Sequence, residues 1–474
     1  MSAESESETS WAWAAVALAA CVALVAPWPE GAVLPLGAWL PELAGAALLI
    51  LCAARPELLG RGPSRGERLL GVALLGLILL AILQLLPLGG ALETISPNSV
   101  RSRAPFVPAG RSAPSTLTLY PYKTRLVLCA WVTAAALLVA ARGASRRQAR
   151  WIAGALVVAA TLQAVVGIGL HLAGSTLPWV DAHSPSRAHG SFRNANHFAG
   201  LLLMALPLSL ALSGLANRRP GARVGAEVLW LVPAGLLALG ILLSGSRGGA
   251  LATLIAMAVF VVLLVPGGPK HISRGFLALT SGTVLLVGLA GVSSLADRFL
   301  GLTEGKLSVL RPSLWRTALG IWSDFPLLGA GVRSHEQLTP ARREGSQLLN
   351  ATHNDYLNLL ADCGLAGALL GAVALGALVW VVRKRALALP SGPERTLFAA
   401  AAAGVLGLLS AVVVEFHLQI SANLWACALA CGLLLGAGSR RSAPRASRAL
   451  RVALLLAGGL LAVDATRQAV AEWQ

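Results

Sequence analysis

Apolar runs of membrane-spanning length recur along this chain, near 11–25, 32–54, 69–90, 124–141, 151–172, 195–214, 226–243, 250–265, 276–292, 356–382, 396–415, 422–437 and 452–463. A bilayer-crossing helix needs about 20 mostly apolar residues, because hydrocarbon offers no partner to an unpaired backbone group. With 56% hydrophobic and only 12% charged residues, against roughly a quarter charged in soluble domains, no single soluble core could hide these runs. The expected fold class is therefore all-α: a polytopic membrane protein of 12–13 transmembrane helices. Soluble, fibrous and disordered classes are excluded. The run 452–463 is short for a span, and an interfacial helix is its competing reading. The first ten residues are acidic and serine-rich, unlike the positively charged start of a secretory signal, so the first run reads as a retained helix.

The net charge of +17 acquires meaning from its placement. Connections 55–68, 142–150, 215–225, 266–275, 383–395 and 438–451 carry 22 Lys and Arg between them, whereas 26–31 and 416–421 carry none. The positive-inside rule puts the basic set, and the amino terminus, in the cytoplasm, with the tail from Asp464 outside. No basic stripe is interleaved with stacking aromatics, so nucleic acid is not an expected partner. The six cysteines lie in or beside apolar runs without a CxxC or zinc-type spacing, and no disulfide, metal or cofactor is expected.

Three outward connections are longer, about 91–123, 173–194 and 293–355, and the last is the large loop. Within it, Leu314, Trp315, Ala318, Leu319, Trp322 and Phe325 fall at helical spacing. They predict a surface helix lying along the membrane face, with Pro312 in its first turn. The spans hold few ionisable groups, with Gln84 and Gln163 as their main polar interruptions, which weighs against a proton-driven carrier.

Polar chemistry instead gathers at the outer helix ends. Arg187-Ala-His-Gly-Ser-Phe-Arg193-Asn-Ala-Asn196-His leads into one span, and Ser244-Gly-Ser-Arg247-Gly-Gly turns into the next. Arg311 and Pro326-Leu-Leu-Gly329-Ala-Gly331 lie in the large loop, and Thr352-His353-Asn354-Asp355 re-enters the membrane. A cation such as Arg247 at a helix amino end is unfavourable unless an anion completes the site; a snorkelling arginine that fixes the turn is the competing reading. Thr352 and Asp355 have capping-box spacing, which puts His353 in the first helical turn as a neutral base or, alternatively, an interfacial cap. Arginines beside one base suit a diphosphate, whose oxygens guanidinium matches bidentately. No DxD pair or metal-like histidine spacing faces outward.

Together these segments resemble the O-antigen ligase and polymerase family of bacterial envelope glycosyltransferases. Its ligase motif, His-Asn/Ser/Gln, nine residues, then Gly-x-x-Gly/Thr/Tyr, is matched by His353-Asn354 and Gly364-Leu-Ala-Gly367. The Arg187, Ser246-Arg247-Gly and Pro326 segments resemble further family stretches. Glu415-Phe-His-Leu-Gln-Ile-Ser-Ala-Asn423 resembles a late Asp-Phe-x-Leu-x-Ile-Pro-Ala-Asn segment, with Glu415 and Ser421 departing from its Asp and Pro.

The resemblance implies a metal-independent, inverting transferase in the bacterial inner membrane, with the large loop periplasmic. Its donor would be an undecaprenyl-diphosphate-linked glycan and its acceptor a sugar hydroxyl, on lipid A-core or on another glycan. His353 would be the essential histidine, with Arg187 and Arg247 at the diphosphate. Arg311, Arg193, Asn196 and Asn354 would bind substrate, while Gly364 and Gly367 would let helices pack closely. The implied organisation is amino-terminal helices over 1–175, a catalytic core over 176–437 with its loop at 293–355, and a basic loop and short helix over 438–474. Repeat-unit polymerase is the alternative within the class, a protein-glycosylating transferase fits less well, and a lipid-linked glycan flippase is the alternative outside it.

Overall fold

The structure, a computed structural model, describes residues 3–33, 35–103, 115–216, 228–264, 306–341, 352–438 and 447–473. The expected run 276–292 and parts of the large loop lie outside the described residues. The described elements are α1 (Ala3–Val25), α2 (Pro35–Ala54), α3 (Arg65–Leu85), α4 (Ala91–Ile95), α5 (Pro97–Arg103), α6 (Pro121–Gly143), α7 (Arg146–Ala173) and α8 (Ala195–Ala216). They continue with α9 (Val228–Leu243), α10 (Arg247–Leu264), α11 (Lys306–Asp324), α12 (His335–Ala341), α13 (Asp355–Ala388), α14 (Pro393–Ala411), α15 (Ser421–Gly436) and α16 (Arg448–Trp473). Among the described residues, nine helices are long and apolar enough to cross a membrane, and three shorter apolar helices join them. The chain is an all-α polytopic membrane protein.

Side-chain size decides the order of the bundle. Helix α8 is almost wholly buried and packs against α7, α9, α10, α14 and α15. Close approach is possible because α14 presents Ala399 to Ala403 and glycines: a Cβ at Gly404 would stand 2.7 Å from the Met204 carbonyl oxygen. Small residues supply the contact surface where lipid gives helices no hydrophobic reason to associate. On the rim the pattern inverts. Val72, Leu75 and Leu79 of α3 and Leu365, Leu369 and Val373 of α13 are exposed at helical spacing, as faces solvated by hydrocarbon.

Several boundaries differ from the sequence expectation. Helix α16 has 26 residues, about 39 Å at 1.5 Å per residue, so it is long enough to span. Asp464, expected to begin an outer tail, lies inside it. Helix α14 stops at Ala411 rather than 415, which leaves Glu415 on a turn, and α3 stops at Leu85. Helix α11 starts at Lys306, so Pro312 is inside it rather than in its first turn. Its buried stripe is Leu314, Ala318, Ile321 and Phe325, with Leu319 exposed. Instead of lying free along a membrane face, α11 packs on α13. Its tryptophans donate to backbone carbonyls, Trp315 to Thr352 and Trp322 to Pro326.

Helix α13 contains a break. Gly364 adopts φ +62°, ψ −162°, a conformation open to glycine, and the segment Pro326–Gly331 is spliced into the gap. Leu365 N–H donates to the Pro326 carbonyl (2.8 Å) and Ala366 N–H to that of Leu327 (3.0 Å). On the other side, Ala330 N–H donates to the Ala361 carbonyl (3.1 Å) and Gly331 N–H to that of Asp362 (2.9 Å). The groups orphaned by the break are thus satisfied from the loop. Gln84, at the end of α3, donates to the Leu328 and Asp362 carbonyls and accepts from Val332 N–H. The Asp362 carboxylate accepts from Arg333 N–H, His335 N–H and the His335 ring. Gly364 therefore serves this splice, while Gly367 leaves room beside Cys363 of its own helix. A Cβ at Gly364 would lie 2.5 Å from the Leu327 carbonyl carbon, and one at Gly367 2.1 Å from Cys363 Cβ.

Candidate active site

Four segments distant in sequence meet at Glu415. The carboxylate is buried, 2% exposed, on the turn between α14 and α15. Its Oε1 accepts from Asn196 Nδ2 (2.7 Å) and Arg311 Nη2 (2.8 Å), and its Oε2 lies 3.0 Å from His353 Nδ1. Asn196 Oδ1 in turn accepts from Arg187 Nη2 at 2.7 Å. Burial alone would raise this carboxyl. The hydrogen bond and charge of His353, with further contributions from His417 and Arg311, hold it below its ordinary value. A carboxylate accepts but cannot donate, so Nδ1 of neutral His353 carries the proton. That leaves Nε2 as the basic nitrogen, the arrangement by which a buried acid orients an imidazole.

Local geometry fixes His353. Its backbone is left-handed, φ +51°, which costs a non-glycine residue about 1 kcal/mol or more and persists only where its surroundings enforce it. The expected capping box does not form: Asn354 is the N-cap and accepts from Leu357 N–H (3.0 Å). Thr352 instead hydrogen-bonds the Asn354 carbonyl and Asn358. His353 thus precedes the helix rather than sitting in its first turn, and its ring meets that of Phe416 edge-on at 5.0 Å. The neighbouring His417 is fully buried, and burial lowers its pKa to about 4, with His353 pushing the same way against Glu415.

The turn before α10 joins the cluster through Arg187, whose Nε donates to the Ser244 carbonyl. A Cβ at Gly245 would stand 3.5 Å from Arg187 Nε, and one at Gly248 3.0 Å from Val414 of the Glu415 turn. Ser246 Oγ caps α10 by accepting from Gly249 N–H (3.1 Å). Arg247, the first residue of α10, is exposed beside this turn. Of the residues expected from sequence, Arg187, Asn196, Arg311 and His353 are linked through Glu415, and Arg247 borders them. Asn354 is engaged in capping. Arg193 is held apart, its Nη2 2.7 Å from Asp181 and its Nε 3.7 Å from Glu30.

Glu415 itself was missed as a site residue. The signal was present, an acidic residue at the end of an apolar run within a family-like segment, but its departure from aspartate obscured it. A second feature was illegible in sequence: a cavity of about 360 Å³ among α2, α3, α6, α13, α14, α15 and α16, with Glu42 and Gln468 in its lining. Its walls are aliphatic, including Leu74, Leu126, Leu375 and Leu424, and its polar lining includes Arg333, Asp355 and Gln419. Asp355, two residues beyond His353 in sequence, is among its lining, whereas Glu415 and the residues linked through it are not. The O-antigen ligase family model (Wzy_C) matches residues 232–372. That span holds Arg247, Arg311, His353 and the Gly364 break, while Arg187, Asn196 and Glu415 flank it. No curated protein matches the chain.

Proposed function

We propose that this chain, which matches the O-antigen ligase family model over residues 232–372, is a glycosyltransferase-like membrane enzyme of polysaccharide biosynthesis that transfers a glycan from undecaprenyl diphosphate to an acceptor sugar hydroxyl. The observation that carries this reading is the pairing of His353 with buried Glu415, with Arg187, Asn196 and Arg311 linked through the same carboxylate.

In this mechanism the acceptor hydroxyl attacks the anomeric carbon of the donor while His353 Nε2 takes its proton. Glu415 holds the tautomer and stabilises the imidazolium that results. The bond from the anomeric carbon to the diphosphate oxygen breaks, and undecaprenyl diphosphate leaves with the electron pair. Arg187, Arg247 and Arg311 bind that diphosphate and offset the charge that grows on it. Arg311 gives one N–H to Glu415 while its guanidinium side chain stays 38% exposed. A single displacement inverts the anomeric centre, and the arginines supply the charge that a metal would otherwise bring. The aliphatic cavity takes part of the polyprenyl tail. The protein sits in the inner membrane with its amino terminus in the cytoplasm, so transfer occurs on the periplasmic face. Arg193, engaged by Asp181 and Glu30, takes no part in transfer.

The test is transfer in EDTA by purified protein, with an undecaprenyl-diphosphate glycan and either lipid A-core or a second donor glycan. A lengthened lipid A-core that is lost in His353→Ala supports a ligase. Glycan ladders lost in the same variant support a polymerase. Full transfer by His353→Ala overturns the assignment, and donor movement between leaflets without bond formation overturns the transferase reading in favour of a flippase.

A further inference from the structure

A second polar cluster lies among α2, α6 and α16, none of which contributes an atom to the Glu415 network. Glu42 from α2 and Cys129 from α6 are more than nine-tenths buried, the Asp464 side chain from α16 is 12% exposed, and their ligand atoms all fall within 4.8 Å of one another. Cys129 Sγ donates to Asp464 Oδ2 at 3.2 Å. Gln468, one turn beyond Asp464 and 5% exposed, aims its amide into the same space. Its Nε2 lies 2.8 Å from Asp464 Oδ2 and 3.2 Å from Glu42 Oε2, while its Oε1 has no partner. Arg125 Nε pairs with the outer oxygen of Asp464 at 3.1 Å.

Among the described residues, the cation against this cluster is Arg125, which reaches Asp464 from its outer side, so two carboxylates and a thiol share the site with a single positive charge. From this grouping we propose that Glu42, Cys129, Asp464 and the Gln468 amide oxygen bind one zinc-type divalent cation. Half a turn of the Gln468 amide exchanges its two terminal atoms and brings the unpartnered oxygen to face the carboxylates. A tetrahedral ion with oxygens near 2.0 Å and sulfur near 2.3 Å separates its ligands by about 3.3 Å for two oxygens and about 3.5 Å for sulfur and oxygen. Three of the six edges, 3.2 Å from Cys129 to Asp464 and, to the Gln468 amide, 3.2 Å from Glu42 and 2.8 Å from Asp464, lie within about half an ångström of those lengths.

Charge supports the same occupant. Binding displaces the Cys129 proton to solvent, which leaves a thiolate and two carboxylates opposite Arg125 and a divalent ion, a neutral set suited to a low-dielectric interior. The ion fastens α16 to α2 and α6 and takes no part in transfer.

The experiment uses the full-length protein in detergent, reconstituted with zinc or cobalt(II) and freed of excess metal. Plasma mass spectrometry is expected to find about one equivalent of zinc in the wild type and under about a tenth in Glu42→Gln combined with Cys129→Ala. The cobalt form should show tetrahedral visible bands and a sulfur-to-cobalt charge-transfer band that Cys129→Ser loses. X-ray absorption on the zinc-loaded wild type, which needs no variant to fold, should report one sulfur and three oxygen or nitrogen neighbours. Less than a tenth of an equivalent in reconstituted wild type overturns the proposal and leaves a shared proton between the two carboxylates. So does metal retained by the double variant, or two sulfurs in the absorption spectrum, which would move the ion elsewhere.

Discussion

The variant Glu415→Gln isolates what the buried carboxylate does for His353. The amide has the shape of the carboxylate but only one acceptor oxygen. At the Oε1 position it faces two donors, Asn196 Nδ2 at 2.7 Å and Arg311 Nη2 at 2.8 Å, so the oxygen stays there. The NH2 group then faces His353 Nδ1, where Oε2 stood 3.0 Å away. Two N–H groups cannot point at each other, so the imidazole moves its proton to Nε2 and loses its basic nitrogen on the substrate side. Regaining the productive tautomer sacrifices the amide-to-imidazole hydrogen bond, worth about 0.5–1.5 kcal/mol, and sets two buried N–H groups against each other. The compensation of the developing imidazolium is lost as well. The combined penalty is about 3–5 kcal/mol, as for other broken buried charge pairs, or a roughly 10²–10⁴-fold slower transfer. Because the diphosphate contacts are untouched, the loss should fall on kcat and leave the KM for donor within about threefold. Glu415→Asp, which keeps the charge, should recover part of the rate. The assay is initial-rate glycan transfer at saturating acceptor. Transfer by Glu415→Gln within tenfold of wild type, or a loss confined to KM, would refute the orienting role.

Arg193→Ala should reduce transfer by less than about threefold, because its guanidinium is engaged by Asp181 and Glu30 and exposed ion pairs contribute little; a hundredfold loss in the same assay would restore it to the site. Gly364→Ala combines a positive φ with a Cβ 2.5 Å from the Leu327 carbonyl carbon, so it should release 326–331 and open that segment to limited proteolysis; an unchanged cleavage pattern would contradict the splice. His417, whose pKa burial lowers to about 4, binds its proton more readily unfolded than folded. Its contribution to stability is therefore complete above about pH 6.5 and falls as the pH drops towards about 4, by at most about 3 kcal/mol. Thermal melts of the wild type should show this decline, and His417→Gln should flatten it.

What was legible in the sequence followed from hydrocarbon alone. Spans read well because a bilayer demands length and apolarity from each segment separately, and the described helices track twelve of the thirteen expected runs. Legibility failed where an apolar run is not a helix. Val412 to Val414 continue the hydropathy of α14, yet the backbone turns after Ala411, and that turn delivers Glu415 to Asn196 and His353. It failed again for Pro312 and Leu319, because the packing of α13 and the start point of α11 choose the buried stripe. Asp464 reads as the start of a tail, since nothing in a linear chain says that residues 42, 129 and 464 lie side by side.

The backbone splice at Gly364 also sets how this chain can tolerate changes of length. Four hydrogen bonds tie 326–331 to both sides of the break, two donated by the segment and two received by it. One residue inserted or deleted between Leu327 and Ala330 puts the two sides out of step, since no single sliding of the strand restores both. Elsewhere in the large loop, extra residues add only loop-closure entropy, which grows slowly with length. The six residues from Pro326 to Gly331 therefore behave as a fixed-length gauge between the half of α13 that follows His353 and the half beyond Gly364.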